Sequence, residues 1–179
     1  LKYKKVKIYF RETTLKGERM NKIGMTQKTI KFEYVYGDRH IVGPVPVGAS
    51  EVFKNTGGKF CWFDTSRRLE VAGSGNNPDS GAFIYGWALA PAFTASSTEG
   101  GTSLQVDVST NSVYRMPADA AVLATMRGKS CDLVTTSNVQ YADVGEANEK
   151  YLIIEDVDIT NQWVYVRMNP AAIYITAIA

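Results

Sequence analysis

Three carboxylates, Glu155, Asp156 and Asp158, stand close together in a β-prone stretch. Asp156 and Asp158 flank Val157, so in a strand they share one face and Glu155 takes the other. Two carboxylates at that spacing suit acid–base work, or a Ca²⁺ ion held by oxygens at alternate positions. The run Asp156-Val157-Asp158-Ile159-Thr160-Asn161 lacks the central Gly and terminal Glu of an EF-hand loop. A hairpin turn capped by Asp158 and Asn161 is the better reading.

The remaining candidates each lack a partner. His40 is the only histidine. A catalytic imidazole needs a nucleophile to activate and an acid to orient it. Asp38 is near, but nothing resembles a nucleophile elbow, so His40 reads as a turn residue. Gly73 and Gly75 form a Gly-x-Gly, but no helix pattern follows to aim its N-terminus at a phosphate. Trp62, Trp87 and Trp163 would suit a sugar platform or a base-stacking surface. Each lies in an apolar segment, which favours packing. Cys61 and Cys131 have no Cys or His beside them, so zinc-ligand spacing is missing. One long-range disulfide remains open; two buried thiols are preferred, since free Cys is among the most buried residue types. The expectation is a non-enzymatic chain with no cofactor and no metal.

The chain has 179 residues, 45% apolar and 21% charged, enough for a packed core and unlike a disordered composition. No stretch approaches the ~18–20 apolar residues of a membrane helix, so no membrane partner is expected. The net charge of +2 hides an asymmetry: residues 1–31 hold ten Lys/Arg against two Asp/Glu, and the rest carries −6. An acidic body argues against nucleic acid as a direct partner, because phosphate binding needs a clustered positive surface.

Two readings of residues 1–27 stay open. Codons for Lys16-Gly17-Glu18 can spell a ribosome-binding site just before Met20 and Met25, so residues 1–19 or 1–24 would be an over-extended reading frame starting at Leu1. Alternatively they are a basic arm, with Lys2, Lys4, Lys5 and Lys7 interleaved with Tyr3, Val6 and Ile8. An intact mass near 19.7 kDa excludes over-extension.

The body reads as strands and turns. Residues 29–36 alternate with Ile30, Phe32, Tyr34 and Tyr36 on one face. Residues 59–64, 69–71, 82–89, 103–109, 112–116, 151–157 and 163–168 are further strand candidates, separated by Gly, Pro, Asn and Asp turns. Residues 90–101 read as a small-residue loop. Residues 118–126 would form two helical turns with Asp119 as N-cap. The fold class is therefore all-β, with little helix.

A weak internal repeat divides this body. Pro46-Val47-Gly48-Ala49 followed by Gly58-Lys59-Phe60-Cys61 resembles Pro117-Ala118-Asp119-Ala120 followed by Gly128-Lys129-Ser130-Cys131. The expectation is two tandem small β-barrel or β-sandwich units, 28–110 and 111–170, with an apolar C-terminal strand at 171–179.

Residues 112–170 carry a family resemblance. Tyr114-Arg115-Met116-Pro117, Gly128-Lys129-Ser130-Cys131-Asp132-Leu133, Asn138-Val139-Gln140-Tyr141-Ala142-Asp143, residues 151–158 and Asn161-Gln162-Trp163-Val164-Tyr165-Val166-Arg167-Met168-Asn169 together resemble capsid decoration (cement) proteins of tailed bacteriophages. Residues 42–110 resemble them more loosely. The resemblance implies a virion structural protein on the outer capsid surface, often a homotrimer, whose partner is the major capsid protein. The tail residues Ile173, Tyr174, Ile175 and Ile178 are the candidate interface, suited to adding a strand to a neighbour's sheet. Deleting 171–179 is expected to abolish trimerisation or capsid binding. The alternative is a carbohydrate-binding β-module, which requires a Trp lying flat on the surface.

Overall fold

The computed structural model describes residues 33–53, 59–73, 83–90, 92–145 and 150–172. The basic segment 1–27 and the candidate interface Ile173, Tyr174, Ile175 and Ile178 lie outside the described residues. What is described is all-β, as the period-2 patterns indicate.

The first seven strands are β1 (Glu33–Tyr36), β2 (Ile41–Pro46), β3 (Val52–Phe53), β4 (Lys59–Phe63), β5 (Leu69–Val71), β6 (Gly86–Ala88) and β7 (Phe93–Thr94). They are followed by β8 (Ser103–Asp107), β9 (Val113–Pro117), β10 (Ser130–Thr136), β11 (Val139–Asp143), β12 (Leu152–Asp158) and β13 (Trp163–Met168). A five-stranded sheet has the order β2-β8-β6-β4-β5. A six-stranded sheet has the order β1-β9-β13-β12-β10-β11. β3 and β7 pair with each other, so the expected loop over 90–101 contains a short strand.

Apart from β1, the two large sheets share one connectivity. In each, the first strand pairs with the fifth, the fifth with the fourth, the fourth with the second and the second with the third. In each, a parallel bridge brings the ends together: Val47 to Leu69 in one, Ala118 to Ala142 in the other. The bridges are extended by matching hydrogen bonds, Gly48 N to Leu69 O (2.9 Å) and Asp119 N to Ala142 O (3.0 Å). The repeated Pro46-Val47 and Pro117-Ala118 therefore occupy corresponding points, each at the end of its sheet's first strand.

The second bridge overturns the helix expected over 118–126. Ala118 and Asp119 are held extended against β11, and the Asp119 carboxylate caps Val144 N (3.0 Å), not a helix. Val122 N donates to the Gln162 side chain (2.8 Å), and only Ala124–Met126 makes a 3-10 turn. Local helix propensity loses to these tertiary hydrogen bonds.

Strand β4 is buried on both faces, which explains why 59–63 reads as a continuous apolar run. Cys61 faces a core made with Val47, Phe53, Leu69, Val71 and Val106 of the first unit. Phe60 and Trp62 point the other way, into a core shared with Tyr114, Cys131, Leu152 and Val166 of the second. The two sheets are thus joined by a buried apolar seam.

Candidate functional site

The seam is where the conspicuous side chains of this chain gather. At its centre Trp87 stacks on Tyr114, ring centroids 4.2 Å apart and planes 12° off parallel. Phe60 meets both rings edge-on, at 4.7 Å and 5.6 Å. Offset stacked and edge-on arrangements are the favoured ones for aromatic quadrupoles.

A buried carboxylate closes one end of the seam. Asp107, the last residue of β8, is fully buried. Its Oδ2 accepts hydrogen bonds from the Tyr114 hydroxyl and from Ser112 Oγ (2.8 Å). Its Oδ1 accepts from the main-chain N–H of His40 and of Ser109, each at 3.0 Å. Arg39 lies 3.8 Å from Oδ2 and stacks over Tyr34. One side chain thus ties the β1–β2 connection, the link between the units and the start of β9. Burial pushes the Tyr114 hydroxyl well above its ordinary pKa, and its bond to Asp107 adds to the rise. It stays a hydrogen-bond donor and cannot serve as a base near neutrality. Gly37 lets the chain pass this point: its φ is +113°, and an added Cβ would sit 2.0 Å from Asn111 O.

Polar side chains also lock the other end. The Gln140 amide, buried in β11, accepts from Phe60 N and donates to Phe60 O, both at 3.0 Å. It also donates to Ala72 O at 2.8 Å. Lys59 is fully buried, and its ammonium donates to Val52 O (3.1 Å) and Asn138 O (2.6 Å). Gly73, first residue of the Gly-x-Gly, has φ +79° and its carbonyl accepts from Thr135 N at 2.9 Å. It is a seam residue. Sequence reasoning missed Asp107, Gln140 and Lys59, because nothing in their neighbours' spacing marks a polar side chain as buried.

The sequence candidates are placed apart from one another. His40 touches Asp107 through its main chain, and its ring is on the exposed side. A bulge between Ile154 and Asp156 corrects the expected facing of β12. Leu152, Ile154 and Val157 enter the core, so Glu155 joins Asp156 on the outside. Glu155 pairs with Arg167, and Asp156 pairs with Arg127 at 2.6 Å. A main-chain bond from Val157, then the Arg127 guanidinium, hold the Asp156 carboxyl below the usual range. Asp158 caps the β12–β13 turn, accepting from Asn161 N at 2.9 Å and Nδ2 at 2.6 Å. Among the described residues no His, Cys, Asp and Glu group could hold a metal ion. No helix among them is long and apolar enough to cross a membrane.

The three tryptophans are 1%, 0% and 6% exposed at Trp62, Trp87 and Trp163, so none forms a flat surface platform. Both cysteines are buried free thiols, Cys61 in the first core and Cys131 in the shared one. Burial raises both far above the usual thiol range. Only the thiolate is nucleophilic. The folded protein is therefore expected to give no reaction with a thiol reagent at pH 8, and two reactive thiols per chain after denaturation. Reaction of either thiol in the folded state would contradict the packing.

Exposed apolar side chains remain at the edge of the second sheet. β1 pairs with β9 alone among the described residues, and Val35 and Tyr36 on it are exposed. Ile41, at the start of β2 just beyond the Gly37 turn, is exposed too. β2 is a poor strand acceptor, because Pro44 and Pro46 lack donors and a bulge separates Val42 from Val45. β1 has no proline.

The chain matches no protein-family model, no curated protein and no solved structure.

Proposed function

We propose that this protein is a virion structural protein that binds the outside of a phage capsid and stabilises contacts between capsomers, acting as a homotrimer. The observation that supports this reading is the β1 edge: a proline-free strand with Val35 and Tyr36 exposed, followed in the chain by exposed Ile41. Such an edge accepts a partner strand, and exposed apolar side chains beside it supply contact energy. The Glu155, Asp156 and Asp158 side chains are bound up in ion pairs and a turn, and both cysteines are buried in the cores, which fits a role in cohesion. Repeated weak contacts between many copies and one shell add by multivalency.

The test is co-sedimentation of the full chain with shells of the major capsid protein encoded in the same genome. Saturable binding is expected. Tyr36→Asp combined with Ile41→Asp should weaken it about tenfold or more, as expected when an interface anchor of ~1–2 kcal/mol is lost. The melting temperature of the free protein should hardly change, because both side chains are exposed. Absence of binding by the unaltered chain would overturn the reading. Light scattering checks the trimer independently.

A further inference from the structure

Two exposed apolar side chains, Leu123 and Ile159, stand on adjoining loops at one end of the second sheet. Leu123 is 55% and Ile159 49% exposed. The Gln162 amide fastens the two loops together: its Oε1 accepts from Val122 N at 2.8 Å and its Nε2 donates to Ile159 O at 2.6 Å. Residues 120–126 include no charged side chain. Apolar side chains grouped and held out in this way mark a contact surface. Its rim is acidic. Asp119 precedes the first loop and Asp158 precedes Ile159. Asp143 lies beside Asp119, whose main chain donates to Ala142 O and whose carboxylate accepts from Val144 N, each at 3.0 Å. Of the cations that follow the patch, Arg127 pairs with Asp156 at 2.6 Å, and Lys129 stands beyond it at the start of β10.

The described chain begins at this end. β1 runs antiparallel to β9 with Glu33 opposite Arg115, just short of Pro117. Pro117 pairs with Trp163, and Trp163 with Asp158. Arg115 links the two sides: it binds Glu33 at 2.9 Å and lies 5.0 Å from the centre of the Trp163 ring. The turn that carries Ile159 therefore starts two strand spacings from β1, roughly 10 Å at ~4.8 Å each. About three or four extended residues cover that distance. We infer that residues 1–31 dock on the Leu123–Ile159 patch of their own chain, with their lysines and arginines facing its acidic rim. Their composition fits the surface: ten Lys/Arg stand against two Asp/Glu, among apolar Tyr3, Val6, Ile8, Phe10 and Leu15. Opposite charges steer the segment within a Debye length of ~8 Å, and burial of the aliphatic side chains holds it. The inference is independent of the capsid reading and rests on residues 1–27 being a basic arm.

The experiment is limited trypsin digestion of the full chain, with a free peptide of residues 1–31 as the reference for an undocked segment. Cleavage after the lysines and arginines of this segment should be slower in the chain than in the peptide. Leu123→Asp combined with Ile159→Asp should speed it about tenfold, because cleavage follows the population of the open form. Raising the salt to 1 M should narrow the gap between chain and peptide. The melting temperature of the variant should stay close to that of the unaltered protein, because both side chains are exposed. Carbodiimide cross-linking of the unaltered chain, followed by peptide mass mapping, should join a lysine of residues 1–31 to Asp119 or Asp158 within one molecule. Equal cleavage rates in chain, variant and peptide would overturn the inference. So would cross-links found only between two copies, or a native mass lacking residues 1–19 or 1–24.

Discussion

Replacing Asp107 with alanine should lower stability by about 3–5 kcal/mol, a large part of the ~5–15 kcal/mol that holds an ordinary domain together. The carboxylate accepts four hydrogen bonds, two on each oxygen. Alanine leaves the Ser112 and Tyr114 hydroxyls buried without that acceptor, and each stranded buried donor costs ~1–3 kcal/mol. His40 N and Ser109 N lie nearer solvent, so water replaces part of what they lose. Urea unfolding should show a lower midpoint with an unchanged slope. Asp107→Asn keeps the size and one acceptor oxygen, and should cost about half as much. Tyr114→Phe removes one bond and should cost about 1–2 kcal/mol. An Asp107→Ala protein within ~1 kcal/mol of the original would mean that the knot does not fasten the two units.

Trp87→Ala should cost a similar ~3–5 kcal/mol by a different route, the cavity left by a large buried ring. Trp87 is fully buried in β6 and stacks on Tyr114 of β9, so the cavity opens between the units and not inside either. The expected signature follows from that position. The original chain is expected to unfold in one transition, whereas Trp87→Ala should show a shallower denaturant slope, as the two sheets begin to part separately. A double-mutant cycle between Trp87→Ala and Tyr114→Ala should return about 0.5–1.5 kcal/mol of coupling for the stacked pair. A steep single transition with additive effects would place the two rings in independent cores.

These two side chains also show where sequence reading stops. The strand over 163–168 is legible to the residue, because Trp163, Val164, Val166 and Met168 leave only Tyr165 and Arg167 facing out. The Pro-Val and Pro-Ala pairs of the repeat are legible too, and they fall on the two parallel bridges. The seam is not. A strand buried on both faces, as β4 is, gives an apolar run without a period, and a run does not say which core each face joins. Nothing around Asp107, Lys59 and Gln140 in the sequence marks them as buried, and some of the bonds that hold them come from far along the chain: His40 to Asp107, Lys59 to Asn138, and Gln140 to Phe60 and Ala72. The facing of Glu155 was lost to a bulge, which shifts the period by one residue without leaving a mark in composition. The helix over 118–126 failed for the same reason in reverse: the alanines favour helix locally, and a bridge to Ala142 overrides them.

On this account aromatic stacking and buried hydrogen bonds hold the two sheets together, and the proposed work is done at the surface. Electron cryo-microscopy of capsids assembled with and without the full chain tests this most directly. The account predicts added density over the outside of the shell at three-fold or quasi-three-fold positions, with the β1 edge turned towards the major capsid protein. Shells indistinguishable with and without the chain, and the protein left free in solution, would contradict it.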